Sequence, residues 1–409
     1  MIAMVSPLEE AIDEAILSER NSLFRLCGDL VAEPSASPPG HTAGVARIVA
    51  RYLASQGIDS SLVAAEKDAP NIVAEVHGKL PGRHVVFNAH MDTMQPGNEA
   101  LWTVPIRETT SRDGRLYGLG MGNMKGALAA MLVATAVLKR HADSLHGRLS
   151  FTAVCDEVMF GERGAVFLLN ARPDLKGDVL ISGEGPGYMD LAVAEKGLLW
   201  IDLSTQGSGG HSSNAKRGNT PISRLCECLR QIDEFNDIFA SVPEAIAGTS
   251  GGIENAGFRL SANAGIVVSG GVRSLIANLA RAELDFRLPP GITIDDVQNR
   301  IRAITESLEI EMVARKGWNA NWTALNSELV QTVARTVEGL RGKAPGLVVR
   351  LPGSDARRWR DLGTPAICYG PQPELSAGID DFAFEQDVLD CARVYARSAI
   401  HLLKMDNAT

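Results

Sequence analysis

The chain has 409 residues, of which 45% are hydrophobic, so it can bury more than one core and we expect two domains. Its formal net charge of -9 at pH 7 excludes partners rich in phosphate, namely nucleic acids and anionic membranes. The N-terminal segment "MIAMVSPLEEAIDEAI" lacks a basic stretch followed by an apolar run, and we expect no segment long enough to span a bilayer. These features predict a cytoplasmic protein.

Short apolar runs alternate with helical patterns at both ends of the chain. The helical patterns are "GVARIVARYLASQG", which Gly57 closes, and "GALAAMLVATAVLKR". The apolar runs end in polar or glycine-containing turns and are "HVVFNA", "RLSFTAVC", "DVLISG" and "PAICYG". Runs of this kind indicate buried parallel strands. The alternation therefore predicts an α/β domain with a mostly parallel sheet flanked by helices.

Ionisable side chains follow these strands at His90, Asp92, Asp156, Glu157 and Glu184. In open α/β sheets, ligands bind beyond the carboxyl ends of the strands. Imidazole and carboxylate groups suit Zn²⁺, Mn²⁺ or Co²⁺, and three protein ligands with an open position are typical of a catalytic metal site. A carboxylate two residues after a ligand histidine, as Asp92 follows His90, can orient the ring. Each motif alone is more typical of packing or a loop, but their joint placement favours a metal site.

The middle of the chain has a different order of elements. From about residue 190 the patterns predict strand, helix, two strands, helix and strand: "LLWIDLSTQG", "TPISRLCECLRQIDEF", "AGIVVSGG", "LARAELDFRL", "IDDVQNRIRAITESL" and "EIEMVARKG". Thr293, with Asp296 three residues later, indicates a helix start. This order predicts a ferredoxin-like α+β domain of residues 191–317, inserted into an α/β domain of residues 1–190 and 318–409.

Taken together, the motifs resemble one known family, that of the di-metal aminoacylases, carboxypeptidases G and succinyl-diaminopimelate desuccinylases. The resemblance extends over nearly the whole chain, through "NAHMDT", "LYGLGMGNMKGALAAM", "CDEVMFGERGA", "ISGEGPG", "AEKGLLW", "GSGGHSS", "DFRLPPG", "GSDARRW" and "AICYGP". It implies a metal-binding catalytic domain with an inserted lid domain that commonly dimerises. We therefore expect a homo-oligomer, a dimer or higher, formed through residues 191–317.

The resemblance also implies roles for the residues at the strand ends. His90 matches the histidine ligand of one metal, and Glu184 matches the carboxylate ligand of the same metal. Asn123 occupies the place of an aspartate that bridges both metals in the family. Asp92 matches the residue that orients His90, and Glu157 matches the general base. The chain thus retains both residues that bind only this one of the family's two metals.

The ligands of the family's second metal are missing. Val158 occupies the place of its carboxylate, and Gly378 or Ile379 occupies the place of its histidine. A bridging aspartate offsets the charge of two cations, whereas the neutral oxygen of Asn123 fits a site with one. We therefore expect one divalent transition metal per subunit, either Mn²⁺ or Zn²⁺, with Co²⁺ as a further candidate.

The resemblance assigns the substrate contacts mainly to the inserted domain. His211 in "GGHSS" matches a histidine that reaches the partner subunit's active site and donates to the developing oxyanion. Arg287 in "DFRLPP" matches a clamp for the substrate carboxylate. Ser274 replaces an asparagine that the family usually has after its "GG", and Gly353 and Ser354 offer further polar contacts to the substrate.

These residues predict a hydrolase that breaks a C–N bond in a small carboxylate-bearing substrate. The metal activates a water molecule, Glu157 takes its proton and passes it to the leaving nitrogen, and His211 and Arg287 hold the substrate. Because a single cation gives an amide carbonyl less help, an electron-poor aromatic amine with an ortho carboxylate is the leading substrate class. An N-acyl amino acid or a dipeptide is the alternative. Outside the enzymes, the alternatives are a catalytically dead binding protein and a regulatory oligomer.

Overall fold

A computed structural model of the chain describes residues 6–373 and 378–404. The α-helices are α1 (Pro7–Ser18), α2 (Arg20–Ala32), α3 (Ala43–Ser55), α4 (Gly126–Arg140), α5 (Phe167–Ala171), α6 (Pro221–Asp233), α7 (Ile294–Ser307), α8 (Glu328–Arg341), α9 (Ala356–Asp361) and α10 (Glu385–Leu402). The strands are β1 (Ser60–Glu66), β2 (Ala69–His77), β3 (Leu80–His90), β4 (Thr110–Arg112), β5 (Arg115–Tyr117), β6 (His146–Val154), β7 (Val179–Ser182), β8 (Leu191–Glu195), β9 (Gly197–Gln206), β10 (Gly210–His211), β11 (Ser261–Ser269), β12 (Leu275–Ile276), β13 (Leu279–Leu288), β14 (Glu311–Trp318), β15 (Asn321–Trp322), β16 (Leu347–Arg350), β17 (Ala366–Cys368) and β18 (Phe382–Phe384).

The chain divides into two compact units. The first comprises the residues up to Val193, Thr323–Val348 and the residues from Ser354 onwards, and the second comprises Ala194–Trp322 and Val349–Gly353. The sequence analysis instead drew its boundaries at 190/191 and 317/318 and assigned residues 349–353 to the α/β domain. Backbone hydrogen bonds explain this correction: Val349 donates to the Ser250 carbonyl (3.3 Å), and Lys196 donates to the Arg350 carbonyl (3.1 Å).

The first unit contains a mixed sheet with the strand order β1-β2-β6-β3-β7-β17-β8. The central strands β6, β3, β7 and β17 are parallel to their neighbours in this group, whereas β1, β2 and β8 pair antiparallel. The predicted α/β fold with a mainly parallel central sheet and flanking helices is therefore confirmed. The parallel strands matter most for function because their carboxyl ends meet at one edge of the sheet.

Helix α4 lies at the centre of the first unit. Every residue from Gly126 to Leu138 is buried, and α10 and α2 pack against this helix. The segment Met121–Arg140 is long and apolar enough to cross a membrane by length and composition, and 94% of its most apolar window is buried inside the protein. The expectation that no segment reaches this length was wrong. Burial of the helix on all sides explains why its sequence lacks a polar face.

The second unit contains an antiparallel sheet with the strand order β11-β13-β9-β14. Its elements follow one another as β9-α6-β11-β13-α7-β14, which is the ferredoxin-like topology that the sequence predicted. Helices α6 and α7 cover one face and bury, among others, Leu225, Ile232 and Val297. Helix α7 begins with the predicted capping box, in which Thr293 and Asp296 bond each other's backbone N–H. The other face of the sheet carries polar side chains that alternate with the buried ones along β13.

Candidate metal centre

The carboxyl ends of three neighbouring parallel strands bring three predicted site residues together. His90 is the last residue of β3, Glu157 lies three residues beyond β6, and Glu184 lies two residues beyond β7. One ligand atom from each of these side chains lies within 4.8 Å of the others. Across residues 6–373 and 378–404, no other group of three potential metal-ligating side chains comes as close. Asp156 stays out of this cluster because it pairs with Arg163 at 2.7 Å.

Backbone contacts fix the orientation of the buried His90 ring. Its Nδ1 lies 2.9 Å from the backbone carbonyl oxygen of Asp92, and since a carbonyl can only accept, Nδ1 carries the proton. In the neutral ring, the form that binds a metal, Nε2 is therefore the nitrogen without a proton, and it faces the other site residues. It lies 3.3 Å from the Asn123 Oδ1 atom and 3.7 Å from the Glu184 Oε1 atom. The lone pair of this nitrogen is thus presented to the same space as two oxygen ligands.

These distances fit a divalent metal. Ligand atoms about 2.0–2.2 Å from a shared cation lie roughly 3 to 3.5 Å from one another. The distances from His90 Nε2 to the oxygens of Asn123 and Glu184, 3.3 and 3.7 Å, are close to this range. One imidazole nitrogen, one amide oxygen and one carboxylate form a set that suits Zn²⁺, Mn²⁺ or Co²⁺. His90, Asn123 and Glu184 would hold the ion. The carboxylate of Glu157 lies 3.8 Å from the same nitrogen, about as far as Glu184, but its side chain is 16% exposed whereas that of Glu184 is 1% exposed. Glu157 is therefore the carboxylate that a substrate could reach.

The electrostatics of the cluster also favour a cation. Burial alone lowers the pKa of His90, but the hydrogen bond to Glu184 and the charges of Glu157 and Asp92 raise it to about 10. Burial, followed by the charge of Glu184, raises the pKa of Glu157 well above its ordinary value. The shift of His90 arises because several acidic groups surround one buried imidazole. A bound divalent cation neutralises the negative charge of these groups directly.

Asp92, predicted to orient His90, contacts the ring through its backbone and its side chain. The backbone carbonyl of Asp92, rather than its carboxylate, makes the close contact to His90, and the carboxylate Oδ1 is 3.6 Å from the ring nitrogen. The carboxylate accepts the backbone N–H groups of Glu157 (3.1 Å) and Val158 (3.0 Å). The loop after β6 turns these two amides toward the buried Asp92 side chain. Asp92 thereby links the metal ligand to the candidate base.

Asn123 lies in the tight turn that precedes α4, where its peptide bond to Met124 is cis. The buried carboxylate of Asp381 accepts the backbone N–H groups of Gly120 (2.8 Å) and Gly122 (3.2 Å) on this turn. Burial raises the pKa of Asp381 to about 7, although these amide donors lower it. Asp381 therefore holds the turn that carries Asn123. The sequence analysis missed it; the only signal was a carboxylate in the segment "IDDF".

A second buried carboxylate near the cluster, Asp355, was also missed. Asn88 donates its Nδ2 hydrogen to Asp355 Oδ2 at 3.2 Å, and burial together with the charge of Glu184 raises the pKa of Asp355 to about 7, against the opposing charge of His90. The sequence analysis chose its neighbours in "GSDARRW" instead. Ser354 belongs to the first unit and accepts a hydrogen bond from Cys368, whereas Gly353 belongs to the second unit. The isolated carboxylate in this motif was the available signal.

The positions that would hold a second metal offer no ligands among the described residues. The Val158 side chain is apolar, Gly378 has no side chain, and Ile379 is 43% exposed and apolar. Residues 374–377, which belong to the same segment as Gly378, lie outside the described part of the chain.

The remaining predicted substrate contacts lie in the second unit. His211 ends β10, which pairs with β12, and its Nδ1 lies 2.9 Å from the Ser213 hydroxyl. Ser274 belongs to the same hairpin because its carbonyl accepts the backbone N–H of Ser212 at 2.9 Å. Arg287 lies on β13, where Asp285 binds its guanidinium. The structure thus brings His211 and Ser274 together and places Arg287 on the polar face of the sheet.

Comparison with known proteins agrees with this fold. The profile of Peptidase family M20/M25/M40 matches residues 86–401, well over half of the chain. Human carnosine dipeptidase 1 superposes with a TM-score of 0.76 at 13% identity, covering 98% of this chain and 100% of that one. The metallo-carboxypeptidase Sso-CP2 from Sulfolobus solfataricus superposes with a TM-score of 0.73 at 18% identity, covering 93% of this chain and 98% of that one. The dinuclear metal-binding peptidase YXEP from Bacillus subtilis superposes with a TM-score of 0.71 at 14% identity, covering 95% of this chain and 99% of that one. The chain belongs to Peptidase family M20/M25/M40 and is a metal-dependent hydrolase.

Proposed function

We propose that the protein is a cytoplasmic hydrolase that breaks a C–N bond in a small carboxylate-bearing substrate and uses one divalent transition metal per subunit, Mn²⁺ or Zn²⁺ or else Co²⁺. One observation carries the proposal. His90, Glu184 and Asn123 converge beside Glu157, while the second-metal positions at Val158 and residues 378–379 hold no ligand. The site therefore has the ligands for one cation and a carboxylate base.

The reaction depends on residues that can hold and move a proton. A bound metal supplies an activated water molecule and positive charge for the substrate. Glu157 takes the proton from the attacking water and transfers it to the leaving nitrogen, which its raised pKa and partial exposure favour. The Asp92 carboxylate holds the backbone of Glu157 and so keeps the base beside His90. Arg287 binds the substrate carboxylate, and His211 donates to the developing negative charge.

The leading specific substrate is 5-nitroanthranilate, which would undergo hydrolytic deamination by nucleophilic aromatic substitution. A C–O bond forms at the amine-bearing ring carbon, and the negative charge spreads over the ring and the nitro group. The C–N bond then breaks, and the nitrogen leaves as ammonia with a proton from Glu157. One cation is enough because the ring itself stabilises the charge that a second cation stabilises in amide hydrolysis.

Apolar side chains near the strand ends support an aromatic substrate. Met94, Met159 and Tyr188 lie on the loops that follow β3, β6 and β7, the loops that also carry the site residues. Their exposed fractions are 47%, 46% and 69%. Exposed apolar side chains on loops that also carry polar site residues are typical of sites for partly apolar ligands. N-acyl amino acid deacylation or dipeptide hydrolysis is the second candidate, because the family fold accommodates peptide-like substrates.

We expect the protein with added Mn²⁺ or Zn²⁺ to release ammonia from 5-nitroanthranilate and to leave N-acetyl amino acids, N-succinyl amino acids and dipeptides intact. Ammonia detection and chromatography of the products measure this. Anthranilate is the matched control and should not react, because without the nitro group its ring cannot delocalise the charge. Turnover of the acyl substrates alone would replace the aromatic assignment by the deacylase. Failure of every substrate with Mn²⁺, Zn²⁺ and Co²⁺ would favour a binding protein.

We also propose that two copies associate through the second unit. Strand β11 is an edge strand of its sheet, and Ile266, Val267 and Val268 on it are 49%, 54% and 62% exposed. An apolar edge strand with unpaired backbone groups is a template for pairing with another chain. A second copy would cover these side chains and satisfy the free edge. The exposed His211 would then be available to the partner's site, as the family resemblance implies.

The substitution Val267→Lys is expected to convert the dimer into monomers, because a charge on the edge strand opposes its burial against a second copy. Analytical ultracentrifugation measures the change. Leu62→Lys is the matched control, since Leu62 is 64% exposed on β1, the edge strand of the other sheet. It should leave the association unchanged. Monomers in the unmodified protein, or dissociation by Leu62→Lys alone, would contradict the assignment of the interface to β11.

A further inference from the structure

We infer that Asp285 is a positioning residue: it holds the Arg287 guanidinium so that one edge stays available to a ligand carboxylate, and Trp200 holds Asp285 in turn. The inference rests on the proposed function, in which Arg287 binds the substrate carboxylate. It adds to that function two residues, Asp285 and Trp200, that need not touch the substrate.

The geometry of the pair is bidentate. Arg287 donates from Nε to Asp285 Oδ1 at 2.8 Å and from Nη2 to Asp285 Oδ2 at 3.1 Å. Two parallel hydrogen bonds of this kind fix both the direction and the plane of a guanidinium. The two residues are spaced by two along β13, so their side chains lie on the same face of the sheet. Asp285 therefore sets the plane in which Arg287 can meet a ligand.

Trp200 completes the arrangement from the neighbouring strand. Its indole Nε1 donates to Asp285 Oδ2 at 3.0 Å, and the antiparallel register places Trp200 directly opposite Asp285. An indole has only this one polar donor and few rotatable bonds. The carboxylate of Asp285 therefore has a fixed partner, Trp200, besides Arg287.

The donors that remain on Arg287 define the ligand. A guanidinium has five N–H groups, and Asp285 takes the one on Nε and one on Nη2. The free edge carries the other Nη2 hydrogen and the hydrogens of Nη1, a spacing that matches the two oxygens of a carboxylate. The Arg287 side chain is 32% exposed, so this edge can reach solvent and a ligand. The site would thus recognise a planar anion end-on.

Other cations at the same end of the sheet as Arg287 explain why Arg287 needs an acidic neighbour. Lys196 is buried, and its Nζ donates to the carbonyls of Ala256 (3.1 Å) and Arg259 (2.6 Å). Burial and the charges of Arg259 and Arg287 lower the pKa of Lys196 to about 8. The positive potential there attracts an anionic ligand, but it also repels Arg287. Asp285 offsets that repulsion at the edge of the guanidinium formed by Nε and Nη2. The edge formed by Nη1 and Nη2 keeps its positive charge.

The test is a calorimetric measurement of ligand binding, which needs no turnover. The probes are 5-nitrosalicylate and N-acetylglycine, each beside its own carboxamide. We expect Asp285→Asn to raise the Kd of the carboxylates about tenfold, because the bidentate contact that fixes the plane of the Arg287 guanidinium is lost, and to leave the carboxamides unchanged. Trp200→Phe, which keeps the ring but removes the donor, should give a smaller rise in the same direction.

Two further variants separate positioning from a general effect. Arg287→Gln should weaken the carboxylates at least as much as Asp285→Asn, and the double variant should be no weaker than Arg287→Gln, because Asp285 acts only through Arg287. Glu283→Gln is the control, since Glu283 is exposed on the same face of β13, two residues earlier. It should bind like the unmodified protein. With an active substrate, Asp285→Asn should raise KM far more than it changes kcat.

Several outcomes would overturn the inference. They are unchanged carboxylate binding in Asp285→Asn, equal weakening of carboxylate and carboxamide, and additive losses in the double variant. If the unmodified protein binds carboxylates no better than carboxamides, the clamp and its positioning residue both fail. Failure of the proposed reaction is a separate result, because the substrate panel can show no turnover while the binding measurements still support Asp285. If Asp285→Asn has a lower melting temperature than the unmodified protein, its Kd values also report the loss of stability. The Kd values of Trp200→Phe then test the inference instead.

Discussion

The substitution Glu157→Gln is expected to lower kcat by about 10²-fold or more while the metal stays bound. Glutamine has the same size but cannot accept the proton of the attacking water at neutral pH. The backbone contact of residue 157 to the Asp92 carboxylate does not depend on the side chain, so the loop should keep its conformation. Steady-state kinetics and elemental analysis of the same preparation measure both quantities.

The control for this substitution is Glu162→Gln. Glu162 follows on the same loop, but its side chain is 60% exposed and lies 3.6 Å from Arg358 at the surface. It should retain full turnover and a full complement of metal. Near-normal kcat in Glu157→Gln would remove Glu157 from the mechanism. Loss of metal in that variant would instead identify Glu157 as a ligand, and the general base would have to be sought elsewhere.

Removal of the metal is expected to abolish activity, and one equivalent per chain should restore it. Of the three expected ligands, only Glu184 is anionic, so the ion should bind more weakly than in a site with a bridging aspartate, and a mild chelator should remove it reversibly. A ligand that binds only the folded state stabilises it, so addition of Mn²⁺ or Zn²⁺ should raise the melting temperature. Elemental analysis gives the stoichiometry.

The substitution Asn123→Asp provides the comparison for this stoichiometry. It adds a carboxylate 3.3 Å from the ligand nitrogen of His90 and should tighten the binding of the ion. It should still bind a single ion, because Val158 and residues 378–379 supply no further ligands. Two tightly bound ions per subunit in the unmodified, fully active protein would contradict the proposal of a single catalytic metal.

The sequence predicted those parts of the structure that depend on local pattern and chain order. The apolar runs before His90 and Glu157 identified parallel strands, and parallel strands end at a common edge, so the convergence of their polar residues followed from topology. The ferredoxin-like order was predicted in the same way. Thr293 and Asp296 needed only their spacing of three residues, because a capping box is a contact within a single turn.

The parts that could not be predicted depend on contacts between distant segments. Asp381 holds the turn at Gly120 and Gly122 across 261 and 259 residues of sequence, so no local pattern indicates it. Asp355 meets Asn88 across 267 residues. The role of the Asp92 carboxylate depends on the conformation of the loop after β6, where Asp156 adopts a φ of 66° that sequence periodicity does not reveal.

The two contacts of Asp92 have a consequence for motion during turnover. Its carbonyl binds the His90 ring, and its carboxylate binds the amides at the start of the next loop, so a single residue connects the ends of β3 and β6. We therefore expect a displacement of His90 to be passed through Asp92 to the backbone of Glu157. The two strand ends should then shift together when the edge of the sheet fluctuates.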